Sequence, residues 1–351
     1  MAKDEMAGRE RGDVVPANGR ASGRASGRAT ARDVARRAGV SQSTVSYVLN
    51  DTPNQTISDA TRQRVLAAAQ ELDYTPSAAA RALRRGTSQI VLTVLPNAPI
   101  GYTIAEFIDR LTDVLEPEGY TVLYRRHRGE PMLQRFLSEL APAAIVNLAA
   151  LPADDVERVT ASGVPFVNSA LDEAGHLDTR LSETEIGRLQ AAHLLERGHR
   201  TLGYASPTYE RVDYFMQGRL AGVRQVCAAA GLAEPAVVGV PLDVTGAAAA
   251  MARLRTEHPE VTAVCAYNDE IAFAVLAGMR VLGLRAPKDL ALIGVDDVPL
   301  GAFVDPPLTT IDLGIGSMSD LIGALVLDRL AGRPAGPTID AAMTLVRRDS
   351  V

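Results

Sequence analysis

The sequence predicts two folds in one chain: a small all-α helix-turn-helix unit, then an α/β doubly wound region large enough for two lobes. Helix-capping residues recur at Thr30, Ser41 and Ser58, with a glycine turn at Gly39 between the first two. From Gln89 onward, apolar strand-like runs alternate with helix-length stretches. The charge balance changes sign at the same place: residues 1–88 hold 14 Lys/Arg against 9 Asp/Glu, and the remainder holds 22 against 33. A basic front on an acidic body suits contact with a polyanion.

Residues 1–29 carry few apolar side chains and the repeat GRASGRASGRA, so a disordered basic extension is expected there. The opening residues mix charges of both signs without an apolar run, which does not read as a secretory signal. No stretch approaches the roughly 18–20 apolar residues of a membrane span. At 351 residues the chain exceeds one ordinary core. A 47% hydrophobic and 22% charged composition is that of a globular protein, expected in the cytoplasm. Cys227 and Cys265 sit in apolar runs and are expected to be buried free thiols.

Order begins with Thr30 as N-cap and Asp33 at N3, a capping-box variant, followed by an apolar face of Val34, Ala35 and Ala38. Gly39 closes that helix in a left-handed cap. Ser41 caps a second helix with Val45, Val48 and Leu49 inward. Ser58 announces a third, with Ile57, Ala60, Val65, Leu66, Ala69 and Leu72 on its apolar side. The domain is therefore set at residues 30–75. Residues 76–88, rich in alanine and arginine, are too thinly apolar for a core and read as a linker that becomes helical when held.

The doubly wound region, 89–351, offers strands at 90–95, 120–125, 143–149 and 164–170, then at 201–206, 236–240, 261–267 and 290–295. Continuous Val/Ile/Ala runs are the mark of buried parallel strands. Ligands in such folds bind at the carboxyl ends of strands. The chain has no Walker loop, no GxGxxG after a strand, and no HExxH or GxSxG, so neither an enzyme nor a cofactor is expected. The five histidines lack metal-ligand spacing. The acidic pair in GVDD (294–297) lacks a third ligand in view, and reads as a loop at a strand end rather than a metal site.

TARDVARRAGVSQSTVSYVLN (30–50) resembles the opening helix-turn-helix of the LacI/GalR transcription regulators. The resemblance continues through ISDATRQRVLAAAQELDYTPSAAARALRRG, RLAGV (219–223), YNDEIAFAVLAGMRVLGLRAPKDLALIGVDD (267–297) and PPLTTID (306–312). It implies an N-terminal DNA-binding domain and a periplasmic-binding-protein-like sensor that binds a small-molecule effector, a sugar or related polar metabolite. The implied protein is a dimeric repressor on a palindromic double-stranded operator, with no membrane partner. No leucine heptad follows AMTLVRR near Val351, so a homodimer is expected rather than a tail-made tetramer.

The resemblance also assigns residues. A recognition helix starting at Ser41 would turn Gln42, Ser43, Ser46 and Tyr47 toward base edges, with Thr30, Ser41, Thr44 and Asn50 at phosphates. Tyr47 stands where the family often has arginine. In the family the linker forms a hinge helix that pairs across the dimer and wedges a leucine into the minor groove. Leu83 takes that position here, and Ala80 is among the small residues that let two such helices approach. For the effector the resemblance points to Arg219 and Asp269, which would grip hydroxyls or a polar base. Tyr102 would add a wall, and Asp213 and Phe215 are further candidates. Relatives commonly have Asp-Asn before the helix at 183–197, where this chain has Leu181-Ser182.

Overall fold

The computed structural model describes residues 29–49, 56–75, 87–128, 132–169, 179–334, 339–340 and 342–351. The chain divides into two compact units, Met1–Ala80 and Arg81–Val351. Of the expected features, the N-terminal extension before Ala29, Asn50, and the linker residues Ala80 and Leu83 lie outside the described residues.

In the first unit, α1 (Ala31–Ala38), α2 (Gln42–Leu49) and α3 (Asp59–Glu71) enclose a core of small side chains. Val34, Val45, Val48, Val65 and four alanines are buried, with Val40, Leu49, Ile57, Leu72 and Tyr74 packed around them. The expected apolar side of α3 needs two corrections. Leu66 is 48% exposed, and Ala60 is exposed as well. Val65 takes the inward position one residue earlier, and a helix advances about 100° per residue, so Leu66 turns outward.

The second unit holds two parallel sheets. In the first lobe, β1 (Ile90–Leu95), α4 (Tyr102–Leu115), β2 (Thr121–Arg126), α5 (Met132–Leu140), β3 (Ala144–Asn147), α6 (Ala153–Ala161) and β4 (Phe166–Asn168) follow in turn. Their strands order as β2-β1-β3-β4. After β5 (Thr179–Arg180), the second lobe runs α7 (Glu183–Glu196), β6 (Leu202–Pro207), α8 (Asp213–Ala229), β7 (Ala236–Val240), α9 (Val244–Glu257), β8 (Ala263–Ala266), α10 (Asp269–Val281) and β9 (Ala291–Ile293). Its order, β7-β6-β8-β9, repeats that of the first lobe. Strand β2 is an edge strand and mostly exposed, unlike the buried β1 and β3.

The chain then forms β10 (Thr310–Asp312), α11 (Ile315–Leu330), β11 (Ile339–Asp340) and β12 (Thr344–Val346). Helix α11 returns to the first lobe and packs on α4, β3 and β4. A Cβ on Gly323 would stand 2.6 Å from Val114, so glycine is what permits that approach. The PPLTTID run supplies β10, which pairs antiparallel with β12. Ser350 then ties the last residues to β9, its Oγ donating to the Leu292 carbonyl at 2.6 Å. Both cysteines are buried and free, as the apolar runs around them predict.

Candidate functional site

Two surfaces bear on function, one in each unit. In the first unit, local hydrogen bonds set the pose of α2. The Thr30 hydroxyl donates to Asp33 Oδ2 at 2.6 Å, and the Asp33 amide donates back to Thr30 Oγ1 at 3.4 Å. The bond from the Thr30 hydroxyl and a second one from the Thr30 amide to Asp33 Oδ2 at 3.1 Å, with Arg36 adding less, hold the Asp33 carboxyl below its usual range. Gly39 stands at φ 68°, a left-handed turn that glycine adopts without strain. Ser41 Oγ then accepts from the Thr44 amide at 3.1 Å and meets the Thr44 hydroxyl at 2.9 Å.

Helix α2 is thus pinned at its start and anchored by Val45 and Val48. Its opposite face carries Gln42, Ser43 and Tyr47, all exposed, with Thr44 and Ser46 half-buried. A short helix with a neutral, hydrogen-bonding outer face suits the major groove, where side chains near a recognition helix's start read base edges.

In the second unit, a cavity of about 160 Å³ opens between the two lobes at the carboxyl ends of their strands. Its position follows from the strand-end loops. Asn147, buried at the end of β3, donates to Asn168 Oδ1 at 2.9 Å, and its carbonyl accepts the Ser169 amide at 2.8 Å. Leu148 and Ser169 are thereby presented to the cavity. From the second lobe, Arg219 on α8 is buried and donates through Nε to Glu183 Oε2 at 2.6 Å and through Nη1 to the Tyr267 carbonyl at 2.7 Å. Its guanidinium lies 4.8 Å from the centre of the Tyr267 ring. Burial opposes the charge on Arg219, but Glu183, Tyr267 and Asp296 together more than offset that and raise its pKa.

This pairing depends on α7 and α8 running very close. A Cβ on Gly187 would meet the Arg219 carbonyl oxygen at 1.8 Å, and one on Gly222 would meet that of Thr184 at 2.0 Å. The glycine of RLAGV is therefore a contact requirement.

Comparison with known proteins decides the family. Residues 30–77 match the profile of bacterial regulatory proteins of the lacI family, and residues 191–351 match that of the periplasmic binding protein-like domain. The transcriptional repressor PurR of Klebsiella pneumoniae (strain 342) is 30% identical over 328 residues, spanning 90% of this chain and 95% of that one. The chain belongs to the LacI family. As a member it is a DNA-binding transcription regulator and not an enzyme. The regulator GalS of Salmonella typhimurium (strain LT2) is 29% identical over 334 residues, covering 90% of this chain and 94% of that one. In fold, the chain is similar to the lac repressor dimer bound to operator and the anti-inducer ONPF: TM-score 0.77, 22% identity, 92% of this chain and 98% of that one. A LacI family protein from Silicibacter pomeroyi gives a TM-score of 0.76 at 24% identity, over 92% and 99% of the two chains.

Within this LacI family fold the expected effector residues fall into two groups. Arg219, Tyr102 and Phe215 all line the cavity. Asp213 does not; it lines a neighbouring depression with Arg211, Tyr214 and His127. Nor does Asp269 reach the cavity. Its carboxylate is fully buried, accepting from the Thr310 hydroxyl at 2.6 Å and the Val298 amide at 2.8 Å. Burial pushes its pKa up to about 7. Its chain neighbours Asn268 and Glu270 flank the cavity instead.

Several lining residues were not singled out from the sequence: Ser169, Glu183, Tyr209, Tyr267, Glu270 and Asp296. A signal existed for the last of them, the acidic pair of GVDD. Asp296 holds φ 108°, a backbone region that side chains avoid and that marks a built site. Burial pushes its carboxyl up to about 6, against the pull of Arg219. Asp297 turns the other way and pairs with Arg348 at 2.7 Å. Among the described residues no group of three metal-ligating side chains forms.

Proposed function

We propose that this regulator is a homodimeric repressor that binds a palindromic operator and is controlled by a small polar metabolite held between its two lobes. The observation that carries the proposal is the outer face of α2, where Gln42, Ser43 and Tyr47 stand exposed on a helix fixed by its own caps. In this reading Gln42, Ser43, Ser46 and Tyr47 meet bases, while Thr30, Ser41, Thr44 and Asn50 meet phosphates. Residues 30–75 form the DNA-binding domain, 76–88 the linker, with Ala80 and Leu83 at the minor groove, and 89–351 the sensing and dimerising domain. Residues 1–29 add a basic extension. The protein acts in the cytoplasm, where the chromosome is.

The effector would sit against Arg219, Tyr102 and Phe215, with Asp269 holding the strand ends and Asp213 at the rim. Movement of the lobes around it would change the operator affinity, and the operator would change effector affinity by the same factor. The printed names of relatives support the reading: PurR is a transcriptional repressor, and the lac repressor was solved as a dimer on operator.

The test is selection of duplexes from a random library with the full-length protein, followed by fluorescence anisotropy across salt concentrations. A two-fold symmetric consensus is expected, bound with an affinity that falls steeply as salt rises. Failure to bind any duplex at low salt, with or without added metabolites, defeats the proposal.

A further inference from the structure

The inference concerns the chemical class of the effector and rests on the reading that the cavity between the lobes is the effector site. Three carboxylates line the cavity, those of Glu183, Glu270 and Asp296, against one cation, Arg219. Arg219 is already committed to Glu183 and to the Tyr267 carbonyl. Glu270 and Asp296 therefore remain in excess, and among the described residues no second cation lines the cavity. Both act on the same ring: Tyr209 is pushed above its usual pKa by burial and then by the charges of Glu270 and Asp296.

The uncharged polar groups point the same way. Asn268 Oδ1 is used as a helix cap, accepting from the Ile271 amide at 3.0 Å. The Thr103 hydroxyl is bonded to Asp296. Ser169 differs: the residue is 5% exposed, it lines the cavity, and its Oγ is buried with no hydrogen-bond partner among the described residues. A buried hydroxyl without a partner carries a desolvation cost that a ligand group would remove.

The remaining wall is hydrocarbon and aromatic, including Phe107, Tyr209, Phe215 and Met318. The free volume of about 160 Å³ is on the scale of one ring, since a cavity of about 150 Å³ accommodates benzene. An anionic ligand would meet a wall with three carboxylates and one cation. A free sugar could bond to the carboxylates, but it would leave their net charge in place and the aromatic wall without a ring to match it.

We infer that the cavity selects a small cationic amine carried on a single ring, its ammonium placed at Glu270 and Asp296, its ring among the aromatic side chains, and Ser169 bonded to a polar ring substituent or to the amine.

The test is isothermal titration of the full-length protein at pH 7.5 with tyramine, phenethylamine and benzylamine. Matched probes are benzyl alcohol, phenylacetate, galactose and ribose. Asp296→Asn and Glu270→Gln are titrated beside the wild type, after thermal melting has shown both to be folded. Asparagine tolerates positive φ, so the first variant keeps the loop. The expected result is binding of at least one amine, no binding of its neutral and anionic counterparts, and a loss of roughly tenfold or more in either variant. Binding of a sugar or of phenylacetate in preference to every amine overturns the inference; if Ser169→Phe abolishes that binding, the cavity remains the effector site. Amine binding unchanged in both variants also overturns it. If none of the three amines binds, the inference fails as well, and the effector reading is then judged separately by whether any metabolite shifts operator binding.

Discussion

The outer face of α2 and the cavity between the lobes are both recognition surfaces, yet they are made in opposite ways. The first uses neutral, exposed side chains on a helix whose position is set by its caps and by two buried valines. The second uses buried charge: Arg219 and Glu183 are each 7% exposed at the side chain and held 2.6 Å apart. Exposed neutral groups cost little to place, so the DNA-facing residues can change without disturbing the fold. Buried ions are costly to desolvate and are kept only when paired, so the cavity ties its recognition chemistry to the stability of the domain.

The largest expected effect tests that link. Arg219→Ala leaves the Glu183 carboxylate buried beside nothing, which costs about 3–5 kcal/mol of stability for the second unit. Chemical denaturation followed by circular dichroism measures it. Adding Glu183→Ala in the same chain should restore a large part of the loss, because the stranded charge is gone. A loss below about 1 kcal/mol in the single variant would mean that the pair contributes no more than a surface bridge.

Asp269 gives a pH-dependent form of the same effect. Its carboxyl is raised from 3.8 to about 7, chiefly by burial. Between these values the folded chain holds a proton that the unfolded chain has released, so this group's contribution to stability falls as pH rises through that window. The total decline is up to about 4 kcal/mol for a shift of this size. Asp269→Asn keeps an acceptor for the Val298 amide and offers a donor to Thr310, but it cannot titrate. Its melting temperature should fall less between pH 5 and pH 8 than that of the wild type. Parallel curves would place Asp269 outside the titrating groups.

Tyr47 moves the comparison to the DNA-facing side. It is 37% exposed at the end of the outer face of α2. Tyr47→Arg supplies the fork that reads guanine, so base preference at one operator position should shift by roughly 1–3 kcal/mol. Stability should stay within about 0.5 kcal/mol of wild type, as for surface substitutions generally. Repeating the duplex selection with the variant measures both the shift and its position. An unchanged consensus would make Tyr47 a support for the helix.

What was legible in the sequence divides along the same line. The caps at Thr30, Ser41 and Ser58, the turn at Gly39 and the valine face are local patterns, each spanning three or four residues, and the structure has all of them. Most strands of both sheets were legible because buried parallel strands are continuous apolar runs; β2, which is mostly exposed, is the exception to that reason. Strand β10 was not read, since its three residues gain their strand form only by pairing with β12, more than thirty residues later. The cavity was legible only in part. Arg219 could be placed by its motif, but its partner Glu183 lies 36 residues away and meets it only because two glycines let α7 and α8 close together. Asp269 misled for the same reason. Its motif is local, whereas the hydroxyl that satisfies it comes from Thr310, 41 residues on.

The smallest expected effect separates two roles that overlap at one atom. Ser41 Oγ caps α2 by accepting from the Thr44 amide, and a phosphate contact would use the same hydroxyl. Ser41→Ala removes both and should cost about 1 kcal/mol of stability in the first unit. Ser41→Gly is the informative partner, because glycine at an N-cap costs only a few tenths of a kcal/mol while still lacking the hydroxyl. If operator affinity falls in the alanine variant and returns in the glycine variant, Ser41 acts by fixing the helix. If affinity stays low in both, and the fall is alike for every duplex sequence, the hydroxyl itself meets the backbone. Ser43→Ala is the reference for a residue with no capping bond among the described residues. It should leave the melting temperature unchanged while weakening operator binding, and a stability loss as large as that of Ser41→Ala would erase the distinction between anchoring and reading on this helix.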